Sequence, residues 1–196
     1  MFIQVQFVSN CAIIYLLKSC LFNEHLFVYI QNILIKGVKF LNSVELIILN
    51  FIEVRRRSIK VWTAIPQEKL QWKPDDEALT CLEIIRHVLE SEHYYHLAIQ
   101  NKGSLSVFDS PFEKQPFTTV NAELEFAEPY RNRFLETIRL FSEKDLANIK
   151  IDRSDVGYIR DLGDMLLRVA YHESIHTGQL LDYLRTAGIP RPSVWD

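Results

Sequence analysis

His172 and His176 stand four residues apart in the stretch Tyr171-His172-Glu173-Ser174-Ile175-His176-Thr177-Gly178-Gln179. On a helix that spacing stacks two imidazoles one turn apart on one face, where both can reach a single metal ion. Leu162, Met165, Val169, Leu180 and Tyr183 continue the stripe at steps of three and four, which places the pair on the core side. A lone histidine there is usually a hydrogen-bonded core residue; two at i and i+4 favour a metal, imidazole being the commonest ligand. Both rings must be neutral to ligate, so affinity should fall in acid. A third ligand has to come from another part of the chain.

The same letters spell His-Glu-x-x-His, in which Glu173 would be the general base of a zincin protease. The rest of the chain argues against that. No His or Glu follows His176, Gln179 and Asp182 stand where the extended signature needs Gly and His, and no strands precede the helix. Glu173 falls with Leu166, Leu180 and Leu184 on the inner face, and a buried carboxylate there calls for a partner such as a histidine nitrogen or an arginine. A di-iron carboxylate bundle would use two Glu-x-x-His motifs, here Glu90 with His93 and Glu173 with His176, plus Glu53 and Glu128 or Glu136. At about 100° per residue Glu90 and His93 point away from the stripe Cys81, Ile84, Val88, Tyr95 and Ile99, so that pair reads as solvated. His87 and His96 each lie at an edge of the stripe, and periodicity does not choose between them. The neighbours of His87 (Ser91, Tyr94 and Ala98) suit a pocket and incline the choice toward it.

Four amphipathic segments must position these groups. Ile47, Phe51, Val54, Ser58, Val61 and Ile65 draw a buried stripe on a helix from about Ser43 or Val44 to Ala64, stopped by Pro66. The run Arg55–Arg57 reads as a solvated face on that helix. After a turn-rich connection anchored by Trp72, Thr80-Cys81-Leu82-Glu83 forms a capping box that opens a second helix to about Gln100. The loop 101–116 is long enough to line a site or cross the bundle. A third helix, from about Thr118–Asn121 to Phe141, contains Pro129, so it should kink there or begin at Glu128. A linker with one short extended candidate, Ile149–Ile151, leads to a fourth helix from about Asp161 to Ala187, closed by Gly188 and Pro190. The tail should pack Trp195 onto the body. The expected class is all-α, a four-helix bundle.

At 196 residues the chain suits one such domain, with hydrophobic residues at 48% and charged residues at 24%. A net charge of -3 gives no electrostatic case for nucleic acid. Cys11, Cys20 and Cys81 are odd in number without C-x-x-C spacing, which points to a reducing cytoplasm and away from a thiolate zinc site. Met1–Asn50 holds no Arg or Pro and is rich in Ile, Leu, Phe, Val and Asn. It lacks a basic signal-peptide start, and its apolar runs are too short and interrupted to span a membrane. Residues 1–43 therefore read as an apolar extension: either an extra helix or two packed on the bundle or a partner, or upstream sequence translated from a misplaced start.

From about Val44 to the C-terminus the chain resembles the DinB-like family, which includes YfiT-type metal-dependent hydrolases and bacillithiol transferases. Trp72-Lys73-Pro74, Thr80-x-x-Glu83-Ile84-x-x-His87 with Glu92 beyond, and His172-x-x-x-His176-x-Gly178-Gln179 followed by Tyr183-Leu184-Arg185 carry the resemblance. It implies a four-helix bundle holding one divalent ion, nickel or zinc first and manganese or iron next, through His87, His172 and His176, and commonly a homodimer. The ion would activate water or the thiolate of a low-molecular-weight thiol against a small-molecule substrate, giving hydrolysis or S-transfer, with Glu173 a supporting residue or a base. The non-enzymatic alternative is a stress-related bundle that binds a metal or small molecule without turnover.

Overall fold

The computed structural model describes residues 41–195, and the expected apolar extension, residues 1–43, falls almost wholly outside them. The described residues form four long helices, α1 (Ser43–Thr63), α2 (Cys81–Gln100), α3 (Val120–Arg139) and α5 (Leu162–Thr186). A short helix α4 (Glu143–Asn148) and a hairpin of β1 (Lys150–Arg153) and β2 (Tyr158–Asp161) separate α3 from α5. The strands pair antiparallel with Lys150 opposite Asp161, and Gly157 takes the left-handed turn position at φ 92°. The sequence anticipated β1 at Ile149–Ile151 but not α4, whose Ser142–Asp145 capping box marks it locally.

Three of the four long helices start where a side chain satisfies their first amides; α5, which follows Asp161, has no such side-chain cap. Asn42 and Glu45 form a reciprocal capping box on α1, and Thr80 with Glu83 forms the one expected on α2. Thr119 caps α3. That helix starts at Val120 and not at Glu128. It runs through the proline, which lies on the exposed side, where a carbonyl left without its amide can turn to water. Gly188, at φ 70°, closes α5 as expected.

The helices pack in the cyclic order α1–α5–α2–α3. Two apolar clusters fix their directions. One gathers Val61 and Trp62 of α1, Leu82 and Ile85 of α2, Ala127 of α3 and Leu180 and Leu184 of α5. The other gathers Ile47 and Phe51, Ile99, Phe134 and Ile138, and Met165 and Leu166. α1 and α5 therefore run one way, α2 and α3 the other. Residues 101–119 must cross back along the bundle to join two parallel helices, which is the crossover their length allows.

Between the clusters lies a charged layer with one residue from each long helix. Arg55 grips Glu173 through Nε (2.8 Å) and Nη2 (3.1 Å), and its Nη2 lies 3.3 Å from Glu92. Arg131 donates to Glu92 at 2.5 Å and to the Phe51 carbonyl at 2.8 Å. Two cations balance two anions in a place where any one alone would be costly. The sequence reading of Arg55–Arg57 as a solvated face holds for Arg56 and Arg57, which sit half-exposed on Glu53. It fails for Arg55, which is buried because its angle on the helix is that of Phe51, Ser58 and Trp62.

A second buried pair, Arg86 with Glu123, joins α2 to α3, and Arg86 also holds the carbonyls of Gln115 and Pro116 at the end of the crossover. The crossover covers the side of α2 expected to face water. Glu90 accepts a hydrogen bond from Ser110, and the His93 ring packs on Tyr130 and Phe108, so the pair is half-buried instead of solvated. Trp195 does not pack down. It is 93% exposed, while Val194 meets the core and gives its carbonyl to Arg57.

His96 is buried between α2 and α3. Thr137 commits its hydroxyl hydrogen to the Arg133 carbonyl, so His96 Nε2 is the donor to Thr137 Oγ1 at 2.9 Å. Burial, with the charges of His93 and Arg133, pushes its pKa from 6.5 down to about 4. Below 6.5 the unfolded chain takes a proton that the folded chain refuses until about 4, so His96 removes stability as pH falls across that window. In metal-free protein the fall in Tm between these pH values should be smaller for His96→Gln, which keeps a donor for Thr137 but does not titrate; equal slopes would exclude the effect. In the charged layer, Arg55→Leu should cost about 3–5 kcal/mol in denaturant unfolding because it strands Glu173. Arg57→Leu should cost under about 1 kcal/mol.

Candidate metal centre

α2 and α5 are antiparallel neighbours, and their contact brings His87 to the two histidines of α5. His87 Nε2 lies 3.1 Å from His172 Nε2, which lies 3.2 Å from His176 Nε2. The donor atoms of all three fall within 4.8 Å of one another, and the rings meet edge to face at centroid distances of 4.5–5.0 Å. Among the described residues this is the one group of three or more His, Cys, Asp or Glu placed to share an ion.

The arrangement fits a cation on its own chemistry. An imidazole nitrogen carries either one hydrogen or one lone pair. His172 Nε2 can therefore satisfy one of its two close neighbours but not both, and a central cation meeting three lone pairs removes the conflict. Ligand bonds of about 2.0–2.1 Å set two nitrogens of a tetrahedral site roughly 3.3 Å apart, close to the spacing seen here.

Residues of α5 select the right tautomer. The Gln179 amide nitrogen donates to Tyr183 Oη at 3.2 Å, which turns its oxygen toward His176 Nδ1 at 2.9 Å. Nδ1 must then carry the hydrogen, and the Nε2 lone pair points into the cluster. Burial lowers the pKa of His87, helped by the charge of His176. Burial and the charges of His176, His87 and Arg168 push His172 down to about 4. Both effects favour the neutral rings that a metal requires.

Glu173 lies beside the cluster in sequence but turns into the charged layer. It is buried, and both its oxygens are held by Arg55. Burial raises its carboxyl pKa, and Arg55 more than offsets this, holding it below the usual range. The structure sends His96 to Thr137 and Phe134 instead of the cluster. The carboxylates a di-iron site would need are also dispersed: Glu90 bonds Ser110, Glu53 bonds Arg56 and Arg57, and Glu128 and Glu136 are exposed. The expectation that no strands precede this helix is corrected: β1 and β2 lead directly into α5, and among the described residues this two-stranded hairpin is the only sheet. Sequence reading missed the ring of Tyr95, 6.1 Å from that of His172, and Arg168, one turn before it; the i−4 spacing of Arg168 was the available signal.

The described helices include none long and apolar enough to cross a membrane. The chain is similar to an uncharacterized protein, YjoA, of Bacillus subtilis (strain 168), 24% identical over 143 residues that cover 72% of this chain and 89% of that one. The fold is similar to the crystal structure of a DinB-like protein, YjoA, from the same organism. That likeness has a TM-score of 0.58 at 22% identity and covers 76% of this chain and 96% of the other. The sequence profile of the DinB superfamily matches residues 50–180, a span that begins in α1 and takes in His87, His172 and His176. With that profile covering most of the bundle, the chain belongs to the DinB superfamily.

Proposed function

We propose that the protein is a divalent-metal-dependent enzyme that acts on a small molecule, with His87, His172 and His176 holding the ion. The observation that carries the reading is the convergence of three imidazole nitrogens from two helices, with no carboxylate or thiolate among them. A three-histidine set that leaves further positions to solvent is the pattern of a catalytic site, whereas structural sites are closed by four protein ligands. A bound ion there supplies Lewis-acid chemistry, lowering the pKa of water or of a small thiol that joins it.

The chain's own residues have definable tasks. Gln179 and Tyr183 keep the His176 hydrogen on Nδ1. Arg55 fixes Glu173, and through it the α5 backbone that carries both neighbouring histidines. This supports Glu173 as an anchor of the helix, because a carboxylate held by a bidentate arginine is a poor base. The three histidines are half-buried, so they are not sealed from solvent. Nickel or zinc is the proposed ion, with hydrolysis and thiol S-transfer the proposed reactions. A homodimer in the cytoplasm is the proposed state.

Metal analysis of tag-free protein should find close to one divalent ion per chain. His87→Ala, His172→Ala and His176→Ala should each lose it, while His93→Ala and His96→Ala keep it. Retention in the His87 variant with loss in the His96 variant would refute the assignment. Loss of a thiol in the presence of monochlorobimane would establish S-transfer, and turnover of an ester or amide panel would establish hydrolysis; neither would leave a binding role. Gln179→Leu should weaken metal binding by about 10–100-fold in chelator competition without removing a ligand.

A further inference from the structure

Three guanidinium groups converge on the ring of Tyr158 in β2. Arg153 lies 5.4 Å from its centroid, and Arg160 and Arg168 each lie 5.1 Å from it. Among the described residues the one carboxylate that pairs with any of the three is Asp164, on Arg160 at 2.6 Å. Arg153 is only 8% exposed, yet its hydrogen bonds go to neutral hydroxyls, those of Tyr158 (2.7 Å), Tyr94 (2.8 Å) and Ser104 (3.3 Å). The Nε atoms of Arg160 and Arg168 are buried without a hydrogen-bond partner.

The arginines between the long helices behave differently. Arg55, Arg86 and Arg131 each sit on a glutamate, as the cost of burying an uncompensated charge requires. The cluster at Tyr158 is short of anions, and its position relates it to the three histidines. Arg168 precedes His172 by one turn on α5, and the Tyr95 ring lies 6.1 Å from that of His172 and 5.7 Å from Arg153 Cζ. Arg160 and Arg168 also line a cavity of about 320 Å³, together with Asp164, Leu167 and Tyr171. Leu167 and Tyr171 offer apolar surface to the body of a ligand whose charged group the arginines hold.

We propose that Arg168, with Arg160 beside it and Arg153 across Tyr158, forms an anion subsite that binds a carboxylate or phosphate group of the compound processed at the three-histidine site. The subsite rests on the metal-dependent reading for the identity of its ligand, but its capacity to bind an anion does not. Guanidinium forks match both oxyanions, so the two sources have to be separated by experiment.

Inorganic phosphate and succinate are titrated separately into full-length protein by calorimetry, before and after chelator dialysis, with metal content measured in each sample. Chelator-treated protein should bind at least one anion, and the preferred one identifies the group recognised. Arg168→Gln should weaken that binding by about tenfold or more, Arg168→Lys should restore part of it, and Arg57→Gln should leave it unchanged. If Arg168→Gln does not fold, Arg160→Gln and Arg168→Lys must each weaken binding instead. Absence of anion binding in the parent, or binding indifferent to these changes, overturns the subsite whatever the metal analysis gives. Arg168-dependent anion binding in a protein that never takes up metal overturns the metal-dependent reading and leaves the subsite standing.

Discussion

Arg55, Glu92, Arg131 and Glu173 come from four different helices and meet midway along the bundle, and their mutual neutrality is the condition under which those helices can pack. Hydrophobic contact alone tolerates small slides of one helix past another. A bidentate guanidinium–carboxylate pair tolerates much less, because its hydrogen bonds fail beyond a few tenths of an ångström. The layer thus sets the axial register of all four helices at once. The histidine cluster inherits that register: His172 is next to Glu173 in sequence, and His87 lies little more than a turn before Glu92. A misplaced layer would separate donor atoms that now lie 3.1–3.2 Å apart.

What could be read from the sequence follows from where the information lies. His172 and His176 share a helix, so local spacing shows their relation. The capping boxes of α1 and α2 and the glycine after α5 are equally local. The choice of His87 over His96 did not come from periodicity: its neighbours along α2 inclined toward it and the family resemblance made it. That helix packs on α3 and α5 and lies under the crossover, so Arg86, Glu92 and His96 are buried along with its apolar stripe, and periodicity loses its contrast. The same crowding put Glu90 and His93 under the crossover when their angle suggested water. Arg55 was hidden by company: three consecutive arginines read as a surface, although its angle matched Phe51 and Ser58. Its partner Glu173 lies 118 residues away, beyond any local pattern.

The superfamily match accounts for the fold and its similar relatives carry no stated activity, so the chemistry has to be argued from the site. Two features of α5 distinguish the site. Toward its C-terminus, Gln179 and Tyr183 orient the His176 ring; toward its N-terminus, Arg168 brings uncompensated positive charge to within a turn of His172. One helix thereby combines two histidines of the cluster, tautomer control and nearby positive charge.

Parallel pairing of α1 with α5, and of α2 with α3, has an electrostatic consequence. Each helix carries a dipole with its positive pole at the N-terminus. In a bundle that alternates directions these poles cancel between neighbours, but here two N-termini share one side of each end. The end bearing α1 and α5 gathers acidic groups accordingly: Glu45 and Asp164 in the first turns, and Glu143, which reaches the Ser43 amide from 100 residues away. These carboxylates offset one pole of a laterally polarised end, and the arginines around Tyr158 stand at that same end.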